Sequence, residues 1–224
     1  MEIIIKDFTK ELSHNLVLDH INLELKSGKI YGFVGKNGSG KTMLMRAICG
    51  LILPTSGCVE IDGKIVGRDI SFPESVGVLI ENPGFIPGYS GFKNLKILAQ
   101  IKNKISNDEI VKTLENVGLD PNDKKSFKKY SLGMKQKLGI AAAIMENPEL
   151  LILDEPFNGL DEDSVDNVRN LILESKNKNN IVILSCHDSQ EIEKMCDEIV
   201  EIKLGKIVNI SENENSEDNN EKNK

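Results

Sequence analysis

The run Gly35-Lys36-Asn37-Gly38-Ser39-Gly40-Lys41-Thr42 fits G-x-x-x-x-G-K-S/T, a pattern whose residue types suit holding the terminal phosphates of a nucleotide. Such phosphates carry several negative charges and leave no room for a bulky wall. Glycines at 35, 38 and 40 let the backbone curl, so that successive N–H groups face the phosphate oxygens. Lys41 adds a cation for the β- and γ-phosphates, and the Thr42 hydroxyl is placed to ligate Mg²⁺. The helix expected to start near Lys41 turns its positive dipole end toward the same anion. Every residue of the run is thus a candidate nucleotide-binding residue, with a nucleoside triphosphate and Mg²⁺ the expected cofactors.

A second group lies far along the chain. Leu150-Leu151-Ile152-Leu153-Asp154-Glu155 is an apolar run closed by two adjacent carboxylates. Consecutive strand residues point to opposite faces, so the two acids take different tasks. Asp154 is a candidate Mg²⁺ ligand, acting through water. Glu155 is the candidate base that orients and deprotonates the water attacking the γ-phosphate. Hydrolysis of that bond needs alignment and charge stabilisation more than covalent chemistry.

Both groups need strands to hold them. Strand-like runs recur at 2–5, 30–34, 57–61, 76–80, 150–153, 181–185 and 198–202, with helical patterns between several of them. This alternation predicts an α/β fold with a largely parallel sheet. The phosphate loop falls between the strand 30–34 and a helix through Met43 to Ile48, as its chemistry requires. Between 91 and 149 the character turns almost purely helical: Leu95, Leu98 and Ala99 lie at helical spacing, as do Ile110, Leu114 and Val117. Ser106 and Glu109 form a capping-box pattern that should start the second of these helices. The expected organisation is a nucleotide-binding α/β core over 1–90 and 150–210, including an N-terminal β subdomain. A helical subdomain over 91–149 interrupts it. Residues 211–224 contain no apolar residue and are expected to form a disordered acidic and polar tail.

Composition narrows the partners. A chain of 224 residues is long enough for one α/β domain with an insertion. No stretch approaches the ~18 consecutive apolar residues that a bilayer span needs. The opening Met1-Glu2-Ile3-Ile4-Ile5-Lys6 reads as a strand and lacks the basic start of a secretory signal. The four cysteines form no C-x-x-C pair, which favours free thiols in a reducing compartment. A net charge of -7 argues against a nucleic-acid-binding surface.

The segment Tyr130-Ser131-Leu132-Gly133-Met134-Lys135-Gln136-Lys137-Leu138 precedes the Asp-Glu strand and opens a helix. It resembles the L-S-G-G-Q signature of ATP-binding-cassette (ABC) ATPases, with Ser131 and Gly133 kept while Tyr130, Leu132 and Met134 depart from it. Ser131 also suits a helix N-cap. Further resemblances follow in order. Pro156-Phe157-Asn158-Gly159-Leu160-Asp161 is similar to the D-loop, and Ser185-Cys186-His187-Asp188 to the switch-histidine segment. The resemblance implies that Ser131 and Gly133 receive the γ-phosphate of an opposing cassette, that Asp161 lies at that interface, and that His187 touches the γ-phosphate and positions Glu155. It also implies a separate transmembrane permease as partner, a second cassette (a copy of this chain or a paralogue), and a place on the cytoplasmic face of the plasma membrane.

Two departures bear on specificity. Most cassettes carry a Gln after the strand that enters the helical subdomain, where this chain has Glu81. A glutamate keeps an acceptor for Mg²⁺ but loses the amide donor, which makes Glu81 a candidate for nucleotide and metal contact. Glu81 together with the Tyr130 to Gln136 segment resembles the subgroup that exports, or gives immunity to, bacitracin and lantibiotics. Near the N-terminus Leu12 stands where cassettes often place an adenine-stacking aromatic ring, which predicts weak stacking and poor discrimination between ATP and GTP. The expected function is the ATP-hydrolysing subunit of an ABC exporter of antimicrobial peptides or drugs. The alternative is a cassette in a membrane sensing complex without net transport.

Overall fold

The computed structural model describes residues 1–81, 84–186 and 189–213 of the chain. The elements run β1 (Glu2–Leu12), β2 (Asn15–Lys26), β3 (Lys29–Val34), α1 (Lys41–Ile48), β4 (Ser56–Ile61), β5 (Lys64–Ile65), β6 (Val76–Leu79), α2 (Gly91–Lys102), α3 (Asn107–Asn116), a 3-10 turn (Phe127–Lys129), α4 (Leu132–Ile144), β7 (Leu150–Asp154), α5 (Glu162–Asn177), β8 (Ile181–Ser185), α6 (Ser189–Met195), β9 (Glu198–Lys203) and β10 (Lys206–Glu212).

Two sheets result. The larger has the order β10-β9-β3-β8-β7-β6 and is parallel except for β10, which pairs antiparallel with β9. The smaller is antiparallel, in the order β2-β1-β4-β5. Strands β7 and β8 are apolar on both faces because both faces of the larger sheet are covered, the usual state of a parallel sheet. Leu151, Leu153, Val182 and Leu184 join one core with side chains of α2 to α6. Their neighbours Leu150, Ile152, Ile181 and Ile183 join the other core with Leu44, Met45 and Ile48 of α1 and the inner face of the small sheet. Two cores flank one sheet.

The α/β class and the largely parallel sheet are as the sequence predicts. Three strands were not foreseen: β2, β5 and β10. In β2 the alternation is broken where Phe8 pairs with Ile21 and Lys10 with Leu18, so that buried Leu18 and Ile21 lie three apart. That irregularity hides the period-2 pattern. The final strand overturns the expected start of the tail at 211. Ser211 pairs with Ile199 and Glu212 with Glu198, and Asn213 donates its N–H to Asp197 O (2.8 Å) and its side-chain amide to Cys196 O (2.8 Å). Backbone pairing at a sheet edge needs no apolar side chain, which is why a polar sequence serves there. Residues 214–224 lie outside the described residues.

The helices begin as their caps dictate. Ser106 and Glu109 make both halves of the capping box at α3, and the Ser131 Oγ accepts the Met134 N–H (3.2 Å) at the start of α4. Of the four cysteines, Cys49 and Cys196 are buried. Burial pushes the Cys49 thiol up to about 12, so it behaves as a core residue.

Candidate nucleotide site

Three adjacent parallel strands, β3, β8 and β7, end at one edge of the large sheet, the edge at which such sheets bind ligands. The phosphate loop follows β3, and the register sets Asp154 of β7 beside Ser185 of β8. A cavity of about 520 Å³ opens there, lined by residues 37–43 together with Leu16, Val17, Asp154, Glu155, Leu204 and Gly205.

The loop is shaped for an anion. Gly40 caps α1 in the left-handed region at φ 114, and no side chain caps the helix. The first N–H groups of α1 are therefore left for a ligand. The Lys41 ammonium is buried and donates to the carbonyls of Gly35 (2.7 Å) and Lys36 (3.3 Å). Ser39 Oγ is buried without a hydrogen-bond partner among the described residues. Burying a hydroxyl unpaired costs ~1–3 kcal/mol, which marks this loop as arranged around something besides itself.

Beside the loop the Thr42 hydroxyl donates to Asp154 Oδ2 (2.7 Å), and the Ser185 hydroxyl donates to Asp154 Oδ1 (2.5 Å). Hydroxyl and carboxylate together offer hard oxygen donors of the kind that Mg²⁺ takes, with phosphates and water completing its shell. Among the described residues no cluster of three or more His, Cys, Asp or Glu could hold a metal by itself. A divalent ion here would thus depend on the nucleotide.

Glu155 is held through its backbone. Its φ of 54 lies in the left-handed region, its N–H donates to Ser185 Oγ (3.0 Å), and its carbonyl accepts from Gln136 Nε2 of α4 (2.9 Å). The same amide donates to Pro156 O (3.0 Å). Ser185 is fully buried and serves both acids at once. Replacing it with Ala leaves the Glu155 N–H and one Asp154 oxygen short of a partner. Ser185→Ala is expected to lose about 2 kcal/mol of stability and to hydrolyse more slowly. Chemical denaturation beside a phosphate-release assay checks both effects, and unchanged values in both would remove Ser185 from the site.

The expected residues divide. Asn37, Gly38, Ser39, Gly40, Lys41, Thr42, Asp154 and Glu155 meet in one cavity, with Gly35 and Lys36 holding Lys41 from behind. Glu81, at φ 59, is not among the lining residues and pairs with Arg46 of α1, Oε1 to Nη2 at 2.7 Å. Ser131, Gly133 and Asp161 also lie off the cavity. Gly133 packs on the D-loop-like segment, where a Cβ would stand 2.8 Å from Gly159 O. Asp161 caps α5 through Ser164 N–H (2.9 Å), and hydrogen bonds from Ser164 hold its carboxyl below the usual range. His187 lies outside the described residues. Leu12 pairs with Asn15 at the tip of the β1–β2 hairpin and is not a lining residue; Leu16 and Val17 of β2 line the cavity instead.

Sequence reasoning assigned no role to Ser185, Gln136, Leu16 or Leu204. Ser185 carried a signal, a lone hydroxyl ending an apolar run. The others become visible only once β2, α4 and the β9–β10 turn are placed.

Fold and loop together define a phosphate-loop nucleotide hydrolase. The ABC transporter family model matches residues 18–158, and the chain belongs to that family, as an ATP-binding subunit with ATPase chemistry. It is 44% identical over 201 residues to the uncharacterized ABC transporter ATP-binding protein YybJ of Bacillus subtilis (strain 168), covering 90% of this chain and 92% of that one. The bacitracin transport ATP-binding protein BcrA of Enterococcus faecalis is 43% identical over 219 residues, covering 95% of this chain and 71% of its own. The lantibiotic transport ATP-binding protein SrtF of Streptococcus pyogenes is 35% identical over 214 residues, covering 95% and 92%. A solved structure of an ATP-binding subunit of an ABC transporter superposes with a TM-score of 0.85 at 25% identity, covering 95% of this chain and 90% of that one.

Proposed function

We propose that this chain pairs with a second cassette around two ATP molecules and drives a separate transmembrane permease that exports, or confers resistance to, antimicrobial peptides. The observation that carries the pairing is the separation of two half-sites on one chain. The cavity holds the phosphate loop, Asp154 and Glu155, while the N-terminus of α4 lies off it, with Ser131 and Leu132 exposed. A helix N-terminus is an anion site; Ser131 caps the Met134 N–H, and the remaining N–H groups of that exposed first turn would meet a phosphate held by another subunit.

In this reading Lys41 exchanges the carbonyls of Gly35 and Lys36 for phosphate oxygens, and Thr42 and Asp154 hold Mg²⁺. Glu155 takes the proton of the attacking water. His187 contacts the γ-phosphate, Asp161 sits at the interface of the pair, and Glu81 exchanges Arg46 for the metal shell when the subunits close. The helical part, 91–149, carries Ser131 and Gly133 toward the partner site. No described helix is long and apolar enough to cross a membrane, so the pathway belongs to another polypeptide, and the chain works at the inner face of the plasma membrane. The peptide class follows from the names of BcrA and SrtF.

The test is to tag the chain in its native host, solubilise membranes gently and identify what co-purifies. A stoichiometric polytopic membrane protein supports the proposal, and recovery of soluble chain alone, ribosomes or DNA overturns it. If deleting that complex leaves peptide export and resistance unchanged, the substrate assignment fails and a sensing role replaces it.

A further inference from the structure

Charge is unevenly spread over this chain. The stretches 82–107 and 124–145 hold ten lysines and no Asp, Glu or Arg, so a chain of net charge -7 carries +10 there and -17 everywhere else. The fold joins the two stretches. Phe127 donates its N–H to Tyr89 O (2.8 Å) and Lys128 its N–H to Pro87 O (3.0 Å), which sets the 3-10 turn Phe127–Lys129 against the loop leading into α2.

That loop is built to hold a shape. Tyr89 N–H donates to Ile86 O (3.1 Å), closing a four-residue turn with Pro87 and Gly88 at its centre. Buried Asn94 of α2 fastens the turn from beneath. Its Oδ1 accepts the Ile86 N–H (2.7 Å), and its Nδ2 donates to the carbonyls of Tyr89 (3.3 Å) and Ser90 (3.0 Å). Outward the turn shows Ile86, 43% exposed, with exposed Pro87 and Gly88. Exposed Lys93, Lys128 and Lys129 accompany it, Lys93 with its ammonium 3.7 Å from the centre of the Tyr89 ring. Among the described residues none of these three lysines enters an ion pair, whereas Lys6, Lys29, Lys176 and Lys206 each have a carboxylate within 2.9 Å. The acids next along the chain, Asp120 and Asp123, accept the N–H groups of Asn122 and Lys125 (2.8 Å each).

We propose that this lysine-rimmed turn is a membrane-contact face: Lys93, Lys128 and Lys129 meet the headgroup phosphates of an anionic phospholipid leaflet, and Ile86 enters the interfacial layer. Clustered lysines are drawn to such a leaflet, and an apolar side chain among them adds buried area. Nucleic acid suits the face poorly. Neither stretch has an arginine for bidentate phosphate contacts, and Lys93 covers one face of the Tyr89 ring on which a base would stack. The contact orients the cassette at the bilayer by itself, so the inference goes beyond the proposed permease and needs no other polypeptide.

The test is sedimentation of the full chain with vesicles of phosphatidylcholine alone and of an equimolar mixture with phosphatidylglycerol, across a range of lipid concentrations. The wild type is expected to partition onto the mixed vesicles and not the neutral ones, and to be released by added salt. A lysine near an anionic surface contributes about fivefold, so Lys128→Gln with Lys129→Gln should lose about thirtyfold in partitioning. Ile86→Ser should lose about fivefold. Lys64→Gln with Lys203→Gln, an exposed pair off this face with the same change of charge, should partition like wild type. A wild type that ignores the mixed vesicles overturns the inference. So does an equal loss in the two lysine pairs, which would mean that only net charge matters, or no loss in the Lys128 and Lys129 pair. Tighter binding of a single-stranded RNA oligonucleotide than of vesicles, abolished by that same pair, would overturn it too and assign the face to nucleic acid.

Discussion

Glu155→Gln is expected to bind ATP as wild type does while losing about a hundredfold or more of its turnover. The backbone at this position is fastened at both ends, by its N–H on Ser185 Oγ and its carbonyl under the Gln136 amide. Substituting the side chain therefore leaves the loop where it is. Glutamine has the same shape and can still accept a hydrogen bond from the attacking water, but it cannot take a proton. It also removes one of the two carboxylates, with Asp154, that line a cavity made for phosphates, so binding does not weaken. A single-turnover measurement of phosphate release reads the chemical step, and size-exclusion chromatography with ATP reads the pairing of cassettes. Wild-type turnover would remove Glu155 as the base. Slow turnover without an ATP-dependent dimer would keep that role and overturn the proposed pairing.

The phosphate loop, the acid pair and the alternating core were legible in the sequence because their chemistry is local. A loop that wraps phosphate needs its glycines, lysine and threonine at fixed spacing within one run, whatever surrounds it. Strand β7 reads as a strand because both its faces are buried. The rest of the site was hidden because it is assembled from residues whose sequence neighbours do other work. Ser185 reaches Asp154 and Glu155 only through the β7–β8 register. Leu16 and Leu204 become cavity residues because β2 and the β9–β10 turn flank the loop, and β2 and β10 were both missed because register shifts break their alternation, in β10 between Ile207 and Asn209. Where Leu12 lies was hidden for the same reason: counting along the chain cannot locate a side chain when the hairpin carrying it has register shifts between Ile5 and Phe8, Phe8 and Lys10, and Lys10 and Glu11. For Glu81 the sequence offered an acceptor, and the structure adds a competitor, since Arg46 already occupies that acceptor.

The second large effect falls on the joint between the sheet and the helix that begins at Ser131. Strand β6 is the edge of the large sheet, and Gly77 faces the C-terminal end of α4. A Cβ built there would stand 1.8 Å from Ala143 O and 2.8 Å from Pro148 Cγ. The first obstacle is backbone, so no rotamer change relieves it. Gly77→Ala must push α4 away from the sheet or shift β6 out of register with β7, where Gly77 pairs with Leu151. Overpacking of this kind costs about 3 kcal/mol, which lowers the melting temperature of a domain this size by about 10 °C. The loss also reaches the chemistry, because α4 carries Gln136, whose amide holds the carbonyls of Glu155 and Pro156. At a temperature where the variant is still folded, its turnover should fall further than its ATP affinity. Gly63→Ala is the comparison: it has a positive φ of 78 but nothing within 4 Å of the added Cβ, so it reports backbone strain without the collision. Thermal melts of the two variants, with hydrolysis and ATP binding measured below both transitions, separate the effects. If Gly77→Ala melts no lower than Gly63→Ala, the close approach of α4 to β6 does not hold the signature helix in place, and the route by which that helix bears on Glu155 must be sought elsewhere.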